Sequence, residues 1–481
     1  MRLVFLNGPY RELPYSRASR SPAVTKSGTI YYPLGLGYAA GLAQAAGLQV
    51  DLVDAVARGL AREEVVTELR RQGADLILID TSTPSIHEDV LTAGQLKQAL
   101  PQAKIFLVGT HATALPEETL HLDRRIDGVL RGEYDQTAIE LARMLAQGGD
   151  WDRVSGLSFR QGDAIIHNPD RDLIQDLDQF PFFSEVAARH LRLEDYFFAA
   201  ARFPMLMLNT ARGCPHRCGW CLYPQVMHRG KYRARSPENV AAEFAWIARE
   251  LPQVREVGIE DDLFTADRGR VRRICELLIS QGNPLPFWCD TRVDLDLETM
   301  RRLKAAGCRL LIAGFESGEQ AILNEIGKGT RVEQAYEFME NARRARLLVH
   351  GCFVLGNPGE TRASMAATLE LAKRLGPDTA QFFPMMVYPG TSMFQWAQGQ
   401  GYLQHVNYRE WLTEEGMHNS IIDLPGLPGS EVMRFCAYAR REFYLRRGYV
   451  LHKLAQSIRS PVEARRNIKA FYSFARHLVR S

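Results

Sequence analysis

Three cysteines, Cys214, Cys218 and Cys221, fall within eight residues, and none occurs earlier in the chain. The run Ala211-Arg-Gly-Cys-Pro-His-Arg-Cys-Gly-Trp-Cys221 spaces them C-x3-C-x2-C, directly after a strand pattern at Met205–Asn209. Three thiolates on one loop can hold three irons of a 4Fe–4S cube and leave the fourth iron open to a ligand. A structural zinc ion is the alternative. It wants four ligands, commonly from two C-x-x-C pairs, and here the fourth would have to come from His216, His228 or a distant cysteine. The other five cysteines, Cys275, Cys289, Cys308, Cys352 and Cys436, are scattered in apolar or mixed surroundings and read mostly as small core residues. Eight cysteines in 481 residues are too few for a disulfide scaffold, and a reduced, cytoplasmic setting is expected.

The loop lies in the second of two alternating strand–helix series. The first has strand patterns at Leu3–Leu6, Val50–Val53, Leu76–Asp80, Lys104–Val108 and Gly128–Leu130, with helices near Leu34–Ala46, Leu60–Gln72, Ile86–Ala99 and Gln136–Ala146. Five such units make a doubly wound parallel sheet, with ligands expected at the carboxyl ends of its strands. Residues 151–200 read as a linker with a hairpin at Gly156–His167. The second series runs from Met205–Asn209 through Glu256–Glu260, Phe287–Asp290, Arg309–Gly314, Val349–Leu355 and Thr379–Phe383. Six units are too few for a closed eight-unit barrel of about 250 residues and suit a partial one. The expected class is therefore α/β: a Rossmann-like domain over 1–150, the linker, a partial (β/α)6 barrel over 201–400 and a helical basic segment over 401–481. No run of eighteen apolar residues is present, so no membrane-spanning helix is expected. The stretch Met1–Gly8 meets Gly and Pro at once and is not read as a signal peptide.

On these residues the chain resembles the radical S-adenosylmethionine (SAM) superfamily. The C-x3-C-x-aromatic-C pattern matches, with Trp220 as the aromatic. Glu260-Asp-Asp-Leu-Phe, Asp290-Thr-Arg292, Gly314-Phe-Glu-Ser-Gly318, Gly356-Asn-Pro-Gly-Glu-Thr361 and Tyr388-Pro-Gly-Thr391 follow the successive strands. The resemblance implies that Cys214, Cys218 and Cys221 hold the cluster, that its open iron chelates SAM, and that an electron from it yields a 5′-deoxyadenosyl radical. Carried over by position, Glu316, Ser317 and Arg292 would meet the polar groups of SAM, and Gly356, Pro358, Tyr388 and Pro389 would wall the adenine. Trp220 and Asp262 complete the implied SAM set. Many members carry Gly-Gly-Glu where this chain has Glu260-Asp261-Asp262. The bland reading of these strand ends is loop chemistry, since turns and helix N-caps favour the same residues.

A doubly wound domain ahead of that core resembles the cobalamin-binding subgroup, which includes anaerobic magnesium-protoporphyrin IX monomethyl ester cyclase and hopanoid-modifying relatives. The implied corrinoid contacts are Pro33, Leu34 and Gly35; Ser82 and Thr83; Gly109, Thr110 and His111; and Gly132 and Glu133. No His follows the first strand as in Asp-x-His-x-x-Gly, so cobalt ligation without a protein histidine is implied. His111 is read as packing or hydrogen bonding rather than ligating. The run Gly35-x-Gly37-x-x-x-Gly41 has the wrong spacing for NAD or FAD. The absence of cysteine from the first domain sets the chain apart from methylthiotransferases. The loop Pro9–Ile30, with Arg11, Arg17, Arg20 and Lys26, is either a solvated basic loop or a cover for the corrinoid or the substrate.

From Arg434 to Ser481 there are twelve Lys and Arg against two Asp and Glu, interleaved with aromatics; removing that +10 from the chain's +3 leaves −7 elsewhere. The segment is read either as a helical cap with a solvated basic face or as a peripheral membrane contact; nucleic acid is not expected. The resemblance implies methylation of an unactivated carbon through methylcobalamin, with radical cyclisation or rearrangement without methyl transfer as the alternative. A non-catalytic corrinoid- or SAM-sensing module and a SAM-only radical enzyme are the other readings. A small-molecule or lipid-like substrate and a flavodoxin or ferredoxin donor complete the expectation.

Overall fold

Leu3–Leu6, Leu76–Ile79 and Ile105–Val108 are continuous apolar runs, each fully buried, as suits strands covered on both faces. In the computed structural model, which describes residues 1–25, 27–404 and 407–459, they lie in β1 (Arg2–Asn7), β3 (Leu76–Thr81) and β4 (Lys104–Gly109). With β2 (Gln49–Asp54) and β5 (Gly128–Leu130) the order is β2-β1-β3-β4-β5, all parallel. The order reverses between β1 and β3, which opens a crevice at their carboxyl ends. The region expected as a linker differs at its start. Its hairpin, β6 (Leu157–Gln161) and β7 (Ala164–His167), pairs antiparallel onto β5 and extends the sheet to seven strands. Further on, helix Phe183–His190 packs on helix Leu34–Ala45. A Cβ at Gly37 would lie 2.3 Å from the Phe183 ring and one at Gly41 2.7 Å from Val186. The glycine run is thus a helix-packing stripe.

The second sheet, β8 (Met205–Leu208), β9 (Glu256–Ile259), β10 (Phe287–Arg292), β11 (Cys308–Glu316), β12 (Leu348–Leu355) and β13 (Thr379–Pro384), is parallel in sequential order and forms the half-barrel. Gly258 in β9 admits Trp288, whose ring would lie 2.1 Å from an added Cβ. Strand β11 runs two residues past its expected end. A register shift after Gly314 and a left-handed φ of 64° at Glu316 mark where it kinks.

The loop Pro9–Ile30 is not a solvated loop. Tyr10, Tyr15 and Arg17 are buried, and Arg17 pairs with the equally buried Asp89 while donating to Asn7 Oδ1 at 2.9 Å. Lys26 lies outside the described residues. After β13, helix Gly429–Tyr444 packs on the last strand, where Tyr444 Oη receives the Ala380 N–H at 3.0 Å; a further helix spans Arg447–Arg459. Residues 460–481, part of the basic segment, lie outside the described residues. Among the described residues no helix is long and apolar enough to cross a membrane.

Candidate active site between the two sheets

The cysteine loop leaves β8 at the carboxyl end of the half-barrel. Asp261, fully buried, accepts from the backbone N–H groups of Thr210 at 2.5 Å and Ala211 at 3.0 Å and from the Thr210 hydroxyl at 2.5 Å. Asp262 Oδ2 accepts from Gly213 N at 2.9 Å. Gly213 has φ 80°, and a Cβ there would sit 2.0 Å from the Lys231 carbonyl, so only glycine fits. Two of the three consecutive acids thus fix the approach to Cys214. Beyond it, Gln225 Nε2 donates to the carbonyls of Cys218, Gly219 and Cys221 at 3.2, 3.1 and 2.9 Å, and Ser392 Oγ donates to the Gly219 carbonyl at 3.2 Å.

All three thiols are free and close enough to influence one another. Burial pushes Cys214 up to about 11 and Cys221 well above the ordinary thiol range, with the neighbouring cysteines adding to it. Metal ligation would therefore release protons. A structural zinc ion would want a fourth ligand beside the three thiols, and His228, one candidate for it, is held by Glu133 at 2.6 Å. Three thiols on a backbone-pinned loop suit a cube instead, with one iron left without a protein ligand.

Around this loop several buried polar atoms have no hydrogen-bond partner: Trp220 Nε1, Arg292 Nε (3.9 Å from the Asp294 carboxylate), Glu316 Oε2 and Glu260 Oε2. Buried orphans of this kind ask for a ligand. Glu316 Oε1 is held by Lys328 Nζ at 2.6 Å, and Arg292 donates to the Lys328 carbonyl. Lys328 went unrecognised in the sequence, where nothing marks a lysine between helices as a partner for a strand-end carboxylate. Ser317 is engaged locally, its Oγ accepting from Glu319 N at 3.2 Å. Gly356 N donates to Glu360 at 2.7 Å, and Pro358 is buried in the same turn. Tyr388 Oη is 3.1 Å from Ser21 Oγ, and buried Pro389 follows it. Arg292 and Glu316 thus meet at Lys328 with open polar atoms, and Trp220 in the cysteine loop has an open indole N–H, while Asp262 and Ser317 have backbone partners.

The carboxyl ends of both sheets face a cleft of about 110 Å³ that opens to solvent. Of the residues expected to meet a corrinoid, Leu34, Gly35, Gly109, Thr110 and Glu133 line it; Pro33, Ser82, Thr83, His111 and Gly132 do not. Gly109, at φ 96°, would place a Cβ 2.3 Å from Asp80 Oδ1; its missing side chain lets the Asp80 carboxyl reach the cleft. Burial pushes that carboxyl up to about 7 despite the Arg17 charge. Ser82 Oγ instead meets Tyr15 Oη at 2.7 Å. His111 is fully buried, with Nδ1 3.2 Å from Thr83 Oγ1 and its ring edge-on to Tyr408. Burial pushes its imidazole down to about 3. His111→Ala should accordingly leave the visible spectrum of bound hydroxocobalamin unchanged; a shift in that spectrum would make it a cobalt neighbour.

Glu133 joins the two halves. It accepts from His228 Nδ1 at 2.6 Å and from both terminal nitrogens of Arg233, and Arg212 Nη1 lies 3.4 Å away. Asp135 takes Arg212 at 2.8 and 3.1 Å. Burial alone would raise the Glu133 carboxyl, but Arg233, His228 and Arg212 outweigh it and hold it well below the usual range. His228 Nε2 lies 3.6 Å from Asp262 Oδ2, so the network reaches the cysteine loop. Arg20, from the long N-terminal loop, enters the half-barrel mouth, with Asp290 at 2.9 Å and Glu260 at 3.6 Å. Burial pushes Glu260 up to about 8 against the pull of Arg20. The sequence marked that loop only by its length and charge.

A doubly wound domain facing a half-barrel across such a cleft, with a three-thiol loop at its rim, defines a two-cofactor class. The model of the radical SAM superfamily matches residues 208–372, and that of the B12 binding domain matches residues 20–142. The chain thus carries a radical SAM domain behind an N-terminal B12-binding domain. It is 28% identical over 420 residues to an uncharacterized methyltransferase of Pyrococcus horikoshii, covering 87% of this chain and 89% of the relative. It is 26% identical to the anaerobic magnesium-protoporphyrin IX monomethyl ester cyclase of Cereibacter sphaeroides, over 82% of this chain and 63% of that one. The radical SAM methyltransferase TsrM of Kitasatospora setae has the same fold, with a TM-score of 0.70 at 17% identity over 90% and 89% of the two chains.

Proposed function

We propose that the protein methylates an unactivated carbon of a small-molecule or lipid-like substrate, using a 4Fe–4S cluster, SAM and cobalamin. The observation that carries this is the single cleft onto which both the corrinoid-side strand ends and the approach to the cysteine loop open. When bound, the cluster supplies the electron that cleaves SAM and the corrinoid supplies the methyl group. In this reading Cys214, Cys218 and Cys221 ligate three irons. Glu316, oriented by Lys328, takes the SAM amino group, Arg292 takes its carboxylate, and Gly356–Pro358 with Tyr388–Pro389 walls the adenine. Trp220 offers its indole N–H, while Asp262 and Ser317 hold the surrounding backbone. Leu34, Gly35, Gly109 and Thr110 meet the corrinoid; Pro33, Ser82, Thr83, His111 and Gly132 support that surface from behind. Residues 1–150 with the β6–β7 hairpin make the corrinoid half and 201–400 the SAM half. A flavodoxin- or ferredoxin-type protein feeds the cluster, and the basic C-terminal segment makes a peripheral membrane contact.

The similarity to the cyclase favours a second reading, radical cyclisation without methyl transfer. The test is anaerobic: the cluster is reconstituted, hydroxocobalamin is added, and the desalted protein is examined for retained corrinoid and, with SAM and dithionite, for deoxyadenosine and S-adenosylhomocysteine. Retained base-off corrinoid with both products supports methyl transfer. Deoxyadenosine without S-adenosylhomocysteine favours cyclisation, and loss of all corrinoid withdraws the methyl-transfer reading. Glu316→Gln removes a charge-assisted hydrogen bond of about 1.5–3 kcal/mol and should weaken SAM binding some tenfold to a hundredfold. Calorimetry on the reconstituted protein reads it; an unchanged dissociation constant would remove Glu316 from the SAM site.

A further inference from the structure

Eleven large hydrophobic side chains are exposed among the described residues, and five of them, Leu445, Val450, Leu451, Leu454 and Ile458, crowd into the last stretch of the described chain. Leu451, Leu454 and Ile458 recur at i, i+3 and i+7 on helix Arg447–Arg459, so they form one stripe, and Val450 flanks it. The opposite side holds the helix to the barrel: Tyr449 Oη donates to the Asp378 carbonyl at 2.9 Å, and Lys453 Nζ lies 3.9 Å from the Asp378 carboxylate. The stripe therefore points away from the protein. Leu451 is 65% and Ile458 86% exposed, where an amphipathic helix ordinarily buries its apolar side.

The charge around the stripe selects the partner. Arg447 lies one turn before Leu451 on the same helix face, and Arg434 and Arg441 are exposed on the helix before it, within a segment of twelve basic and two acidic residues on a chain whose remainder is net acidic. An apolar stripe preceded by exposed arginines, on a helix whose described residues are too few to span a bilayer, fits the headgroup–acyl boundary of an anionic membrane. We propose that the Val450–Leu451–Leu454–Ile458 face seats in an anionic lipid surface. This deepens the peripheral contact proposed above by naming the face that makes it.

The full-length protein is sedimented with vesicles of phosphatidylcholine alone and with a quarter phosphatidylglycerol. Three exposed arginines should favour the anionic vesicles about a hundredfold. Leu451→Gln/Leu454→Gln/Ile458→Gln should abolish the binding with an unchanged melting temperature, since none of these side chains enters the core. Arg434→Gln/Arg441→Gln/Arg447→Gln should cut the preference for phosphatidylglycerol by about that hundredfold. A glutamine triple that still binds like the wild type overturns the assignment of this face while leaving a purely electrostatic contact standing. A wild-type protein that stays in the supernatant overturns both, and sedimentation equilibrium then tells whether a second copy covers the stripe. Deoxyadenosine yield without vesicles reads the radical chemistry separately.

Discussion

Replacing Cys214, Cys218 or Cys221 by Ala is expected to lower reductive SAM cleavage by more than about a thousandfold, the size of effect that follows removal of an essential catalytic group. Each thiol would hold one iron, and the backbone around them is arranged for that task. Gly213 accepts a conformation no other residue fits, Asp261 and Asp262 pin the approach, and Gln225 draws three carbonyls of the loop onto one amide. Two thiolates could still retain iron in a smaller or damaged cluster. Iron and sulfide content and electron paramagnetic resonance should therefore be read beside deoxyadenosine yield. Cys275→Ala is the control, because that thiol is wholly buried among the packed side chains of the barrel core. A Cys214→Ala protein with undiminished deoxyadenosine yield would sink the cluster assignment.

The strands and the cysteine loop were legible because each has a strong local signature. Unbroken apolar runs mark doubly covered strands, and three thiols in eight residues have few uses. What escaped was pairing across sequence distance. Glu133 sits in a strand-end motif that suggests a cofactor, yet it answers to Arg212, His228 and Arg233, and the partners of His111, read as packing or hydrogen bonding, are Thr83 and Tyr408. A motif gives residue type and position; it does not reveal whether a partner from the other half of the chain has already taken the side chain. Arg20 shows the same limit in reverse, a residue of an irregular loop that folding carries into the mouth of the distant half-barrel. The glycine stripe at Gly37 and Gly41 was readable as unfit for a dinucleotide, but its purpose depends on Phe183 and Val186, more than a hundred residues away.

Glu133→Ala is expected to cost about 3–5 kcal/mol, because it leaves Arg233 buried beside Arg212 with its principal counter-charge removed. Arg233 is 7% exposed and Glu133 8%, so water cannot substitute cheaply. The loss should appear as a lower urea midpoint for the apoprotein, before any cofactor is added. Its pH dependence has a definite sign. The Glu133 carboxyl lies below its ordinary value in the folded protein, so its contribution is present above about pH 4.5, the unfolded value, and is lost as pH falls through the folded one. The cost alone would not separate an ion pair between the two halves from a surface that merely tolerates no cavity. A double-mutant cycle with Arg233→Ala does. If the carboxylate and guanidinium act on each other, the double variant should recover much of the loss, since neither charge is then left buried without the other. Additive losses would mean that Glu133 stabilises the protein without Arg233, and the join between the corrinoid half and the SAM half would have to rest on Asp135 and Arg212 instead.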